Sequence, residues 1–247
     1  MILTLDIGNT NIKSGLFDHG QIKDFQVHSA IEKLLDYIDS IKYNAGVICS
    51  VNPNSERILI DKLAGSGMDL FRANVNQKMN LTINYLTPET LGMDRVCSAV
   101  GALQLAEKEN RFTENQYLIT VDFGTATTLN VVSPDRKFIG GLISPGINTM
   151  LNSLNKNTAQ LPLSDLKSYQ GLIGNSTESS IVSGVLTATI GMINETIKKL
   201  NSESGNYPII YVTGGNARFI LPFLDYKIYY EEALVLKGSK VIYDLNH

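Results

Sequence analysis

The chain has 247 residues and a mass of 27.1 kDa, with 43% apolar and 18% charged side chains, which excludes a disordered, fibrous or collagen-like chain and allows one large domain or two small ones. Net charge is −3, from 21 Lys and Arg against 24 Asp and Glu; with no basic excess and no Lys/Arg cluster, no nucleic-acid partner is expected. Cys49 and Cys97 lie in apolar runs without metal-ligand spacing, no apolar run approaches the ~20 residues of a membrane span, and the start of the chain lacks a charged leader; buried free thiols, no membrane partner and a cytoplasmic location are expected.

In chain order, residues 2–7 read as an apolar strand that ends in Asp6-Ile7-Gly8, followed by strands over 12–17 and 21–27. Residues 30–41 have the spacing of an amphipathic helix, with Ile31, Leu34, Leu35 and Ile38 on one face. A buried-type strand follows over 45–51, a helix over 55–63, a short strand over 69–73 and a long helix over 90–109. Residues 118–126 (Leu-Ile-Thr-Val-Asp-Phe-Gly-Thr-Ala) then echo residues 2–10 (Ile-Leu-Thr-Leu-Asp-Ile-Gly-Asn-Thr), and strands over 127–132 and 137–143 again follow. Helices over 147–155 and 179–200, a strand over 209–213, a helix from 216 to 221 and a last helix over 231–245 complete the chain. The echo predicts a duplicated domain, and the alternation predicts an α/β architecture with partly parallel sheets. The division falls in the polar stretch 110–117, giving domains 1–113 and 114–247.

Five segments carry chemistry. Asp6-Ile7-Gly8-Asn9-Thr10-Asn11-Ile12-Lys13 is a tight inter-strand turn whose backbone N–H groups suit an anion. Asn9 and Thr10 add neutral donors there, Lys13 a positive charge for phosphate, and Asp6 a carboxylate for a water-bridged metal. The same residues also suit a plain hairpin. Asp122-Phe123-Gly124-Thr125-Ala126-Thr127-Thr128 repeats the pattern with hydroxyls, and two such turns facing each other across a cleft would grip one polyphosphate. There is no GxxxxGK[ST] loop. Thr213-Gly214-Gly215-Asn216 is either an ordinary strand–helix turn or a flat backbone surface for an adenine or ribose. Gly140-Gly141-Leu142-Ile143-Ser144-Pro145-Gly146 reads either as a strand and Pro-Gly turn that simply open a helix, or as a helix N-terminus that favours an anion. In Leu91-Gly92-Met93-Asp94-Arg95, the Asp-Arg pair is either a cap with an ion pair or a general base beside a cation that fixes an anionic substrate.

These elements, in this order and over essentially the whole chain, resemble the type III pantothenate kinases of the actin, sugar kinase and heat-shock chaperone ATPase superfamily. The resemblance implies duplicated ribonuclease H-like (actin-like ATPase) domains, with mixed sheets flanked by helices and a cleft between the two. It implies transfer of phosphate from ATP to pantothenate, with Asp94 as the proton acceptor. It places ATP on Asp6, Gly8, Asn9, Thr10, Asn11, Lys13, Thr125, Gly214 and Gly215. Pantothenate falls to Tyr85, Gly92, Met93, Asp94, Arg95 and Thr177, with the Arg95 fork on its carboxylate. It further implies Mg²⁺ with ATP, potassium or ammonium on Asp122, and a homodimer in which the Thr177 segment reaches the partner's site. Two other classes share the fold: non-catalytic accessory transcription factors and other small-molecule kinases of the superfamily.

Overall fold

The computed structural model describes residues 1–63, 69–113 and 115–247; Glu114, at the expected division between domains, lies outside them. The first sheet contains β1 (Ile2–Ile7), β2 (Ile12–Asp18), β3 (Gln21–His28), β4 (Ala45–Ser50) and β5 (Asp69–Arg72), in the order β3-β2-β1-β4-β5. β1 pairs antiparallel with β2 and parallel with β4. Its helices are α1 (Ile31–Ser40) and α2 (Pro53–Leu63). Leu3, Leu5, Ile7 and Ile48 from the strands bury against Leu34 and Ile38 of α1 and Leu59 and Leu63 of α2. The i, i+4 spacing of Leu34 and Ile38 puts both on one face of α1, which is why the sequence pattern gave the helix away.

The second sheet repeats this topology. β7 (Leu118–Phe123), β8 (Ala126–Val132), β9 (Lys137–Pro145), β10 (Ile209–Thr213) and β11 (Ile228–Tyr230) stand in the order β11-β10-β7-β8-β9, and a sixth strand, β6 (Thr82–Ile83), extends the sheet beyond β9. β7 is antiparallel to β8 and parallel to β10, as β1 is to β2 and β4. The core of this sheet is Ile119, Val121, Phe123, Leu129 and Val131, covered by Ile147 and Leu151 of α4 (Ile147–Asn157) and by Val182, Leu186, Ile193 and Ile197 of α5 (Thr177–Ser204). The Ser176 side chain accepts from the Ser179 N–H to cap α5, and Gly205, at φ 72°, closes its other end in the left-handed region. α5 is long and apolar enough to cross a membrane by length and composition, which the sequence reading did not anticipate. Its apolar stripe belongs to the core just described.

The chain forms two compact units. Unit 1 is Met1–Phe112, Asp135–Gly140 and Ala233–His247; unit 2 is Thr113–Pro134 and Gly141–Glu232. Two segments of the expected second domain therefore join unit 1. α7 (Leu234–Asn246) starts three residues later than the pattern suggested and packs on α3 (Met93–Lys108). Glycines permit a backbone-close crossing there: a Cβ at Gly101 would lie 2.5 Å from the Leu234 carbonyl oxygen, and one at Gly238 would overlap the Cys97 carbonyl. The segment Asp135–Gly140 pairs with the two-residue strand β6 (Thr82–Ile83). β6 and β11 were not expected, since strands of two and three residues show no alternation to read. The helix expected from residue 216 is the single turn α6 (Ala217–Ile220), followed by a 3₁₀ turn over Leu221–Phe223, and α3 begins at Met93 after a 3₁₀ turn over Pro88–Thr90.

Candidate active site

In unit 1 the site begins at the carboxyl ends of β1 and β4. Asp6 stands opposite Lys13 in the β1–β2 register and opposite Cys49 in the β1–β4 register. The Gly8 N–H donates to the Asn11 carbonyl at 3.2 Å and closes the turn between β1 and β2, leaving Asn9, Thr10 and Asn11 exposed. A Cβ at Gly8 would lie 2.9 Å from the Asn11 oxygen, so the turn needs glycine there.

The N-terminus of α3 meets the same strand ends. A Cβ at Gly92 would fall 2.6 Å from Oδ1 of Asp94 and 3.9 Å from Cγ1 of Val51, just beyond β4. Oδ1 of Asp94 accepts from the Arg95 backbone N–H at 2.8 Å. Burial pushes the Asp94 carboxyl above its usual value, and the Arg95 N–H and guanidinium only partly oppose this. The hydrogen bond with Cys97 holds the Cys49 thiol well above its usual value, and burial and the charges of Cys97, Asp6 and Asp94 add to it. Both carboxylates therefore act on one buried thiol, which brings Asp6 and Asp94 into a common neighbourhood. Neither cysteine was expected beside the site; a free thiol in an apolar run carries no sign of what the strand register sets across from it.

Arg95 is 6% exposed. Its guanidinium lies 5.9 Å from the centre of the Tyr85 ring and 5.7 Å from that of Phe138. Unit 1 thus brings together Asp6, Lys13, Gly92, Asp94, Arg95 and Tyr85, and adds Phe138. Met93 is the first residue of α3.

Unit 2 builds a second turn of the same kind. Asp122 stands opposite Thr128 on β8 and Thr213 on β10. Gly214 has φ 99°, and a Cβ there would overlap Oδ1 of Asp122. The Asn216 N–H donates to the Phe123 carbonyl at 3.2 Å, while Gly215 is exposed with open space where a side chain would stand. On the other side, the Thr125 carbonyl accepts from the Gly146 N–H at 2.9 Å and from Oγ1 of Thr149 at 2.7 Å. Asp122, Thr125, Gly146, Gly214 and Gly215 therefore pack together at one turn, at which Thr125 and Gly215 are exposed and Gly146 and Gly214 are buried. Thr149 was missed, although a Pro-Gly pair opening a helix already sets the third helical residue near that turn. Thr177 is the exposed first residue of α5, in unit 2; it does not share a unit with Asp94.

The sequence profile of the type III pantothenate kinases matches residues 2–199. The chain belongs to the type III pantothenate kinase family. It is 32% identical, over 99% of its length and 97% of the relative's, to the type III pantothenate kinase of Fervidobacterium nodosum. Among solved structures it is similar to a conserved Baf family protein of Campylobacter jejuni described as a transcriptional activator (TM-score 0.62, 19% identity, 98% of this chain and 97% of that one). It is also similar to the activator of 2-hydroxyisocaproyl-CoA dehydratase from Clostridium difficile, solved with ADPNP (TM-score 0.51, 13% identity, 98% and 93%). These last two likenesses concern the fold alone. The fold is α/β, with two mixed sheets of five and six strands flanked by helices, and it is shared with those two structures.

Proposed function

We propose that this kinase transfers the γ-phosphoryl group of ATP to the primary hydroxyl of pantothenate through the residues assembled above, forming 4′-phosphopantothenate in the first step of coenzyme A biosynthesis. The observation that carries the assignment of roles is the Asp94–Arg95 pair, a carboxyl made more basic by burial next to a buried cation. Asp94 takes the hydroxyl proton, the hydroxyl oxygen bonds to the γ-phosphorus, and the bond from that phosphorus to the bridging oxygen of ADP breaks. The Arg95 fork binds the pantothenate carboxylate, with Tyr85, Gly92 and Met93 beside it. In unit 1, Lys13 and the backbone N–H groups of Asn9, Thr10 and Asn11, in the turn that Gly8 closes, bind phosphate; in unit 2, Thr125 binds ATP. Gly214 turns the chain so that the exposed Gly215 offers bare backbone on which the nucleoside rests.

The two units would be the two actin-like ATPase domains, 1–113 and 114–247, with the exchanged segments already noted. Among the described residues no three of His, Cys, Asp and Glu cluster as metal ligands. A divalent ion held by the ATP phosphates, with Asp6 reaching it through water, fits this donor set better than a protein cage. Such an ion would neutralise phosphate charge. At Asp122, a single carboxylate beside the bare Gly214 suits a weakly charged oxygen-bound ion, potassium or ammonium. The family resemblance also supports a homodimer, with Thr177 contacting the partner's substrate, and a cytoplasmic location suits a kinase that works on free ATP.

ADP release measured with a short panel of acceptors tests the function. Pantothenate is expected to drive turnover, and a neutral sugar is not. Turnover with the sugar alone would point to another kinase of the superfamily, and no turnover with any acceptor would point to an accessory factor on the same fold.

A further inference from the structure

We propose that Phe138 is a positioning residue for acceptor specificity: with Tyr85 it forms an aromatic corner against which the Arg95 guanidinium rests, and so fixes the plane in which that cation meets an acceptor carboxylate. The inference rests on the kinase reading above and deepens it, by naming what makes the site select an acid.

Arginine has a long, rotamer-rich stem, and its fork matches a carboxylate bidentately only when the guanidinium plane is held. Aromatic faces within about 6 Å of the cation hold it without competing for its N–H groups. Phe138 meets these conditions. Its ring is fully buried, 5.7 Å from the guanidinium carbon, and 6.2 Å from the Tyr85 ring at 70°. Its own position is fixed from two sides. Phe138 pairs with Ile83 in the β6–β9 register, and its carbonyl accepts from the Asn84 N–H at 2.9 Å, so the strand that carries Phe138 also sets Tyr85. Two residues earlier, Arg136 bonds to Glu107 near the end of α3 at 2.8 Å. The segment Asp135–Gly140 belongs to unit 1 although the rest of β9 belongs to unit 2. That departure delivers one aromatic ring to the cation of α3.

Steady-state kinetics of the wild-type protein, Phe138→Leu and Phe138→Tyr, with pantothenate and with its neutral primary amide, test the idea. Phe138→Leu is expected to raise the KM for pantothenate roughly 3- to 30-fold, the scale of one desolvated cation–π contact. The KM for ATP and kcat should stay close to wild type. The ratio of kcat/KM for the acid over the amide should fall by the same factor. Phe138→Tyr keeps the ring face and should keep the ratio. Should the leucine variant fail to fold, Phe138→Met, whose unbranched side chain fills irregular gaps, carries the same expectation. An unchanged acid-over-amide ratio in a folded leucine or methionine variant overturns the inference and leaves the kinase reading standing. Wild-type protein that turns over neither acceptor overturns the kinase reading itself.

Discussion

Asp94 gains basicity from burial, and the same burial costs stability. Its folded-state pKa is raised above the usual 3.8, so between the two values the folded state binds more protons than the unfolded one. Stability from this group is therefore greatest at low pH and falls as pH rises through the folded value, leaving the ionised carboxylate as a cost at neutral pH. A general base with a raised pKa also shifts the pH–rate profile. The acid limb of kcat/KM for pantothenate should have its midpoint above the usual carboxylate range, with activity lost as pH falls through it. A profile that stays flat down to pH 4 would mean that Asp94 is not the group taking the proton. The residue types of this site are all visible in the linear motif Gly92-Met93-Asp94-Arg95. What the motif cannot carry is the environment: Phe138 lies 43 positions from Arg95, and only the β6–β9 register sets it there.

At the scale of elements, the long segments were readable because periodicity speaks for them. β1, β7 and β10 have the apolar runs of buried strands, and α1 has a single apolar stripe. α5 is the more informative case. Ile181, Val182, Val185, Leu186, Ile193 and Ile197 are buried, whereas Ser180, Gly184, Thr187, Ala188 and Gly191 form an exposed face of small residues. A Cβ at Gly184 or Gly191 would meet nothing within 4 Å. The sequence left open whether this helix packs inside the chain or on a partner; its apolar stripe does the first, and the proposed homodimer would use the small face for the second. Small residues let two backbones approach closely, so an arginine among them should prevent the approach. The molar mass of Gly184→Arg by light scattering should be that of one chain, against two for wild type. A wild-type mass of one chain, or a variant that stays at two, would contradict this use of α5.

For the whole molecule, duplication is the organising fact. Residues 2–7 and 118–123 are β1 and β7, and each is the middle strand of five in matching order, to which β6 adds a sixth strand in the second sheet. The echo was legible because each copy ends its strand in Asp-x-Gly. The exchange of segments between units was not legible, because that of Ala233–His247 depends on two glycine contacts far apart in sequence, Gly101 against Leu234 and Gly238 against Cys97, and that of Asp135–Gly140 on its pairing with the two-residue β6. Those contacts lock α7 to α3, the helix that starts with the proposed base. In the proposed reaction this helix delivers the carboxylate that deprotonates pantothenate for attack on ATP. The most direct test is pantothenate-dependent ADP release by wild type and Asp94→Asn, with ATP binding and thermal unfolding measured alongside. Asp94→Asn is expected to lose roughly 10²- to 10⁴-fold in kcat, with unchanged ATP affinity and a Tm no lower than wild type, since asparagine removes a buried charge and keeps an acceptor for the Arg95 N–H. Near-wild-type turnover by the variant would contradict this role for Asp94.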